Sequence, residues 1–168
     1  MIKAWRPWND RMKIPMLAGC LIVAAPLALA ATKAGPPNPQ CEVAFPATEV
    51  GKATGAHPLH VRGVDSDKGS FCMYDRKDGK NVLMLLLIGN ATASSFNDLR
   101  SQEIYRKNQQ AVDGVGDEAF TVGEGGGALF VRKGEWIYGL TPGIKQPGKA
   151  WLTRDQLLGL ARESLSNL

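Results

Sequence analysis

The stretch from Ala111 to Gly143, AVDGVGDEAFTVGEGGGALFVRKGEWIYGLTPG, restricts the fold more than any other part of the chain. Three short apolar runs, 119–122, 128–132 and 136–141, are separated by the glycine segment 123–127 and by Lys133-Gly134-Glu135. Connections this short make antiparallel hairpins, because a parallel pair needs a crossover of a dozen or more residues. In the third run Trp136, Tyr138 and Leu140 share one face by the period of two, and Pro142-Gly143 ends it. Gly114 and Gly116 bracket Val115, so the backbone there can take positive φ or approach another segment closely. Asp117 follows, a carboxylate placed to accept backbone N–H groups and close a turn. The glycines at 123–127 do not make a phosphate loop. A strand-like run follows them where a helix N-terminus would be needed, and there is no Gly-Lys-Ser or Gly-Lys-Thr ending.

The first thirty residues read as a Sec signal peptide. Lys3, Arg6, Arg11 and Lys13 form a basic n-region, Ile14 to Ala30 is free of charge, and Ala28-Leu29-Ala30 sets cleavage between Ala30 and Ala31. No Arg-Arg pair is present, which favours the Sec route over twin-arginine export. Met12 is an alternative start. Two rivals stand beside cleavage. Leu17-Ala18-Gly19-Cys20 resembles a lipobox and would make Cys20 a lipidated N-terminus, although the most apolar part of the run would then stay on the mature protein. The run is also about 17 residues long, at the lower edge of an uncleaved anchor. Residues 31–40, rich in proline, read as a flexible linker, and 41–168 as a single domain.

Export changes the reading of charge and cysteine. Of 20 Lys+Arg and 16 Asp+Glu, the first thirty residues hold four and one, which leaves the mature chain at +1. No basic stripe remains for a phosphate backbone, so nucleic-acid binding is not expected, and the membrane is reached only through an uncleaved or lipidated N-terminus. Cys41 and Cys72 remain, an even pair read as a disulfide in an oxidising compartment. Two free thiols are the plain alternative. His57-Pro58-Leu59-His60 lies between them and raises a zinc site, but neither half has a finger spacing. Asp65-Ser66-Asp67-Lys68-Gly69 lacks the glutamate of a calcium loop and reads as a turn. No metal and no cofactor is expected.

The rest of the chain fills in the layers. Residues 43–56 read as a helix with Pro46 in its first turn and Gly55 at its end. Leu59–Val64 and Ser70–Arg76 are strands, the second with Cys72 and Tyr74 on one face and Phe71 and Met73 on the other. After the Asp78-Gly79 turn, Val82–Ile88 is apolar on both faces, as a doubly covered strand would be. Ser95 to about Asn108 is a second helix. Thr153 caps a last helix, with Leu157, Leu158, Ala161, Leu165 and Leu168 as its apolar stripe. The expected fold is α+β: an antiparallel sheet of about six strands with helices on one face, a weak twofold repeat of helix plus three strands, and a C-terminal helix.

These marks resemble a family of exported bacterial domains of unknown function, known from actinobacterial lipoproteins and envelope proteins. The resemblance rests on Cys41 before a short helix and Cys72 on a strand. It rests further on the Val-x-Gly-x-Gly-Asp-x-Ala motif at Val112–Ala119, the Leu-x-Val-Arg-x-Gly strand at Leu129–Gly134, and the leucine-rich 157–168. It implies an exported location and this fold, and no activity.

No catalytic constellation is visible. Ser94, Ser95 and the histidines lack a Gly-x-Ser-x-Gly elbow, and Asp117-Glu118 would point to opposite faces of a strand. The expectation is therefore a non-enzymatic ligand- or partner-binding module, periplasmic or of the cell envelope, that takes a small ligand or an envelope protein. A structural accessory protein of an envelope complex is the alternative, and a small hydrolase a third. Trp136, Tyr138 and Trp151 are the candidates to line a binding surface, being amphipathic aromatics. The competing reading places them in the core.

Overall fold

The structure, a computed structural model, describes residues 39–66, 69–123, 127–166 and 168. The expected signal peptide, its cleavage at Ala30 and Ala31, lipidation at Cys20 and most of the linker lie outside those residues. No helix among the described residues is long and apolar enough to cross a membrane.

Seven strands form one antiparallel sheet: β1 (Leu59–Ser66), β2 (Gly69–Arg76), β3 (Asn81–Ile88), β4 (Gln109–Val112), β5 (Glu118–Val122), β6 (Ala128–Lys133) and β7 (Trp136–Pro142). Their spatial order is β1-β2-β3-β7-β6-β5-β4. Two meanders, β1–β3 and β4–β7, thus meet where Leu85 pairs with Leu140 and Leu87 with Tyr138. The α+β class and the antiparallel sheet are as expected. The seventh strand is β4, four largely exposed edge residues with no alternation to betray them. After β7 the chain makes a small hairpin, β8 (Ile144–Gln146) and β9 (Lys149–Ala150).

Three helices cover one face of the sheet: α1 (Pro39–Ala44), α2 (Ala47–Thr54) and α5 (Arg154–Ser166). Leu83, Leu85, Leu87, Leu129, Val131 and Leu140 meet Phe45, Val50, Leu157, Ala161 and Leu165 there in the main core. The helix expected over 43–56 is broken at Phe45-Pro46, where Pro46 becomes the N-cap of α2 and cannot donate to the preceding turn. α5 starts as expected: Thr153 Oγ1 accepts from the Gln156 amide at 3.3 Å, and the Gln156 side chain accepts from the Thr153 amide at 2.9 Å.

Two further helices, α3 (Ala93–Ser101) and α4 (Glu103–Arg106), lie on the opposite face. On β6, Leu129 and Val131 face the main core, while Phe130 between them stacks on Phe120 and meets Phe96 of α3 in a separate cluster. The helices are thus shared between both faces. The expected single helix from Ser95 is capped at Thr92, with Ser95 as the reciprocal third residue of the box. It breaks at Gln102, and the change of direction lets the Tyr105 ring reach Phe130 at 4.8 Å. Because α3 and α4 cover only β5–β7, Met84, Leu86 and Ile88 of β3 are half-buried, not enclosed as a doubly covered strand would be.

Cys41 and Cys72 form the expected disulfide, with a Cα–Cα distance of 6.3 Å. It joins α1 to β2, the strand next to the β1 edge, and it consumes both thiols a zinc site would need. Next to it the buried Tyr74 hydroxyl donates to the Phe45 carbonyl at 2.6 Å and lies 3.2 Å from the Cys41 carbonyl, which satisfies the end of α1. Replacing Cys41 and Cys72 by Ser is expected to lower unfolding free energy by about 3–4 kcal/mol, the chain-entropy value for a loop of roughly this length. Urea unfolding of the oxidised, reduced and double-Ser proteins checks it.

Candidate functional site

The glycine-aspartate motif is a structural tie. Gly116 has φ +62°, and a Cβ there would strike the Val131 side chain and the Arg132 carbonyl, so glycine is required. That turn drives Val115 into the main core. Asp117 then accepts from the Gly134 amide at 2.8 Å and from Arg132 at 3.1 Å, while Arg132 also pairs with Glu118 at 2.9 Å. Asp117 is the turn former expected of it, but the expectation that Asp117 and Glu118 point apart on a strand is corrected: Asp117 lies before β5, in the turn, and one Arg132 guanidinium holds both carboxylates. Among the described residues no group of three or more His, Cys, Asp and Glu could hold a metal ion. His57 precedes Pro58 in the loop between α2 and β1, and His60 stands exposed on β1.

The concave site lies at the same end of the sheet as the β6–β7 turn that the motif ties down, where β3 ends and β7 begins beside α1. A cleft of about 350 Å³ is lined by Gln40, Val43, Ala44, Leu87, Trp136, Tyr138 and Leu168. Its floor is Leu87 and Tyr138, cross-strand partners on the helix-covered face. Tyr138 is buried, with its ring 6.1 Å from Phe45. Trp136, two residues earlier on the same face, is 38 % exposed and its ring packs over Gly89. One wall is α1, fixed by the disulfide one residue from Gln40. The other end is Leu168, which follows the last turn of α5, whose Leu165 carbonyl accepts from Lys133 Nζ. Among the described residues the lining is apolar apart from the Gln40 amide and the tyrosine hydroxyl, and it contains no charged side chain.

Of the three aromatics expected to line a surface, the structure brings Trp136 and Tyr138 together in this cleft and places Trp151 elsewhere. Trp151 is buried at the far end of the sheet with Ala56 and Val82. Its neighbours in sequence decide this: it follows β9 directly and leads into the cap of α5, so its ring closes the seam between hairpin and sheet. Sequence reading missed Gln40, Val43, Ala44 and Leu87 as cleft residues, and it placed Leu168 in the apolar stripe of the last helix. No local pattern marks these positions: Val43, two residues after Cys41, reads as an ordinary helix residue, and only the structure shows it 69 % exposed.

Compared with family models, curated proteins and solved structures, the chain matches none.

Burial raises the pKa of both Tyr74 and Tyr138 above the ordinary tyrosine value of 10.0. A folded-state pKa above the unfolded one contributes stability that is complete below the unfolded pKa and is lost as pH rises past it. Thermal unfolding midpoints are therefore expected to hold steady up to about pH 9 and fall above about pH 10. Tyr74→Phe should flatten that alkaline fall, at a cost of about 1–2 kcal/mol at neutral pH from the lost hydrogen bond. A melting series of both proteins across pH checks the two effects together.

Proposed function

We propose that this chain is a non-catalytic binding module of the periplasm or cell envelope. In this reading it takes a small apolar or amphipathic ligand into the cleft between α1, β3, β7 and Leu168. The observation that carries the reading is the cleft's chemistry: a concave wall that among the described residues holds no charged side chain, with an amide and a phenol as its polar groups, the usual make-up of a small-molecule site. Export supports the same reading, through the basic and apolar first thirty residues and the Cys41–Cys72 disulfide. The resemblance to exported actinobacterial envelope domains points the same way. An alkyl or acyl chain suits such walls best, since no charged side chain lines them to hold an ionic headgroup inside.

A second reading, a structural accessory docked to an envelope complex, is favoured by the uncovered part of the opposite face. There Phe71, Met84, Leu86 and Thr141 form an open groove of about 140 Å³ beside Tyr105.

A fluorescent long-chain fatty acid titrated into the purified protein separates the two. Saturable one-site binding is expected, weakened about tenfold by Trp136→Ala and less by Val43→Ser, with unfolding midpoints unchanged. Binding that does not saturate, or that ignores both substitutions, would sink the ligand reading. A fixed partner that co-purifies and is lost on Phe71→Ser would then favour the accessory role.

A further inference from the structure

Trp151 clamps two hairpins together at the end of the sheet remote from the cleft. The guanidinium carbon of Arg76, at the end of β2, lies 5.2 Å from its ring centroid, and Lys145 Nζ, on β8, lies 4.9 Å away. The backbone makes the same junction. The Gly143 amide donates to the Val82 carbonyl at 2.8 Å, and the Trp151 amide donates to the Gly143 carbonyl at 2.9 Å. Only glycine permits this approach, because a Cβ at position 143 would collide with the Asn81 carbonyl. The turn Arg76-Lys77-Asp78-Gly79-Lys80 and the hairpin Ile144-Lys145-Gln146-Pro147-Gly148-Lys149 therefore share one end of the domain.

These two segments hold five cations and one carboxylate, Asp78, which lies 3.5 Å from Arg76. Lys77, Lys80, Lys145 and Lys149 are all exposed. A chain that is nearly neutral beyond its first thirty residues thus concentrates positive charge here. Among the cations Ile144 stands 73 % exposed, an apolar side chain at the start of a hairpin whose residues 144–149 all face solvent.

We propose that this end is a docking surface for the anionic headgroups of a membrane leaflet, with the four lysines on phosphates and Ile144 entering the interface. This contact is additional to any made by the N-terminus, and it departs from the expectation from sequence that the N-terminus is the only route to a membrane. Charge complementarity calls for an anionic partner, since clustered Lys and Arg are drawn to anionic lipid. Ile144 selects lipid over a soluble polyanion: a polyanion rewards only the charges, whereas a bilayer interface also takes up an exposed aliphatic. Holding Arg76 and Lys145 on one indole keeps both hairpins in place before contact, which lowers the ordering cost of binding.

The test is co-sedimentation of the protein purified from its host's envelope with phosphatidylcholine vesicles, with and without phosphatidylglycerol. Adding phosphatidylglycerol is expected to raise partitioning, and raised salt to reverse the gain. Lys145→Gln with Lys149→Gln should cut the gain by about 25-fold, roughly fivefold per cation, and Ile144→Ser by several-fold. All three sites are exposed, and melting curves check that the variants fold; Lys145 also touches the Trp151 ring, so where that variant melts early the pair on the other hairpin carries the test. Lys77→Glu with Lys80→Glu, on the other hairpin, is an independent second pair. A gain unaffected by both lysine pairs overturns the proposal. So does loss of binding with the lysine pairs but not with Ile144→Ser, together with equal binding to polyglutamate, which assigns the surface to a soluble polyanion.

Discussion

The covalent join between Cys41 and Cys72 governs the most open part of this structure. α1 has six residues, too few to hold a helix in water by its own hydrogen bonds. It persists because the disulfide fixes its third residue to β2 and because the Tyr74 hydroxyl meets its terminal carbonyls. Gln40, Val43 and Ala44 are presented to the cleft by that short helix and by nothing else. The concavity is thus a product of one crosslink, one buried phenol and the floor supplied by β3 and β7.

The sheet has more symmetry than the domain. A half-turn normal to the sheet between β3 and β7 carries the directions of β1, β2 and β3 onto β5, β6 and β7, since β3 and β7 are antiparallel. Such a rotation keeps the two faces distinct. α1 and α2 lie on one face and α3 on the other, so the helices break the relation. The repeat of helix and three strands is thus a repeat of strand order only. The departure leaves the β1–β3 half of one face without a helix among the described residues, and Phe71 and Val64 exposed on it.

Much of this was legible in residues. The hairpins at Asp78-Gly79 and Lys133–Glu135, the capped C-terminal helix, the cysteine pair and the turn at Asp117 follow from local chemistry that tertiary structure did not override. What escaped is what depends on assembly. β4 has four edge residues whose pairing with β5 comes from its neighbour, not from its own pattern. The break at Gln102 carries Tyr105 onto Phe130, a contact between distant segments that no local pattern announces. The cleft draws on positions 40, 87, 136 and 168, none unusual alone, and Trp136 and Trp151 differ in fate only through the seams they meet.

The position of the crosslink also sets how the domain would carry mechanical load. A pull delivered along the chain from the N-terminal side meets, among the described residues, Pro39 and Gln40 before Cys41, and there it passes through sulfur into β2. β2 is an interior strand, paired with β1 on one side and β3 on the other. Tension would therefore be shared by two ladders of backbone hydrogen bonds, and α1 would not be peeled from the sheet one contact at a time. Val43 and Ala44 lie beyond the crosslink, out of the line of force, so a stretched tether would load Gln40 and leave the aliphatic part of the cleft wall standing.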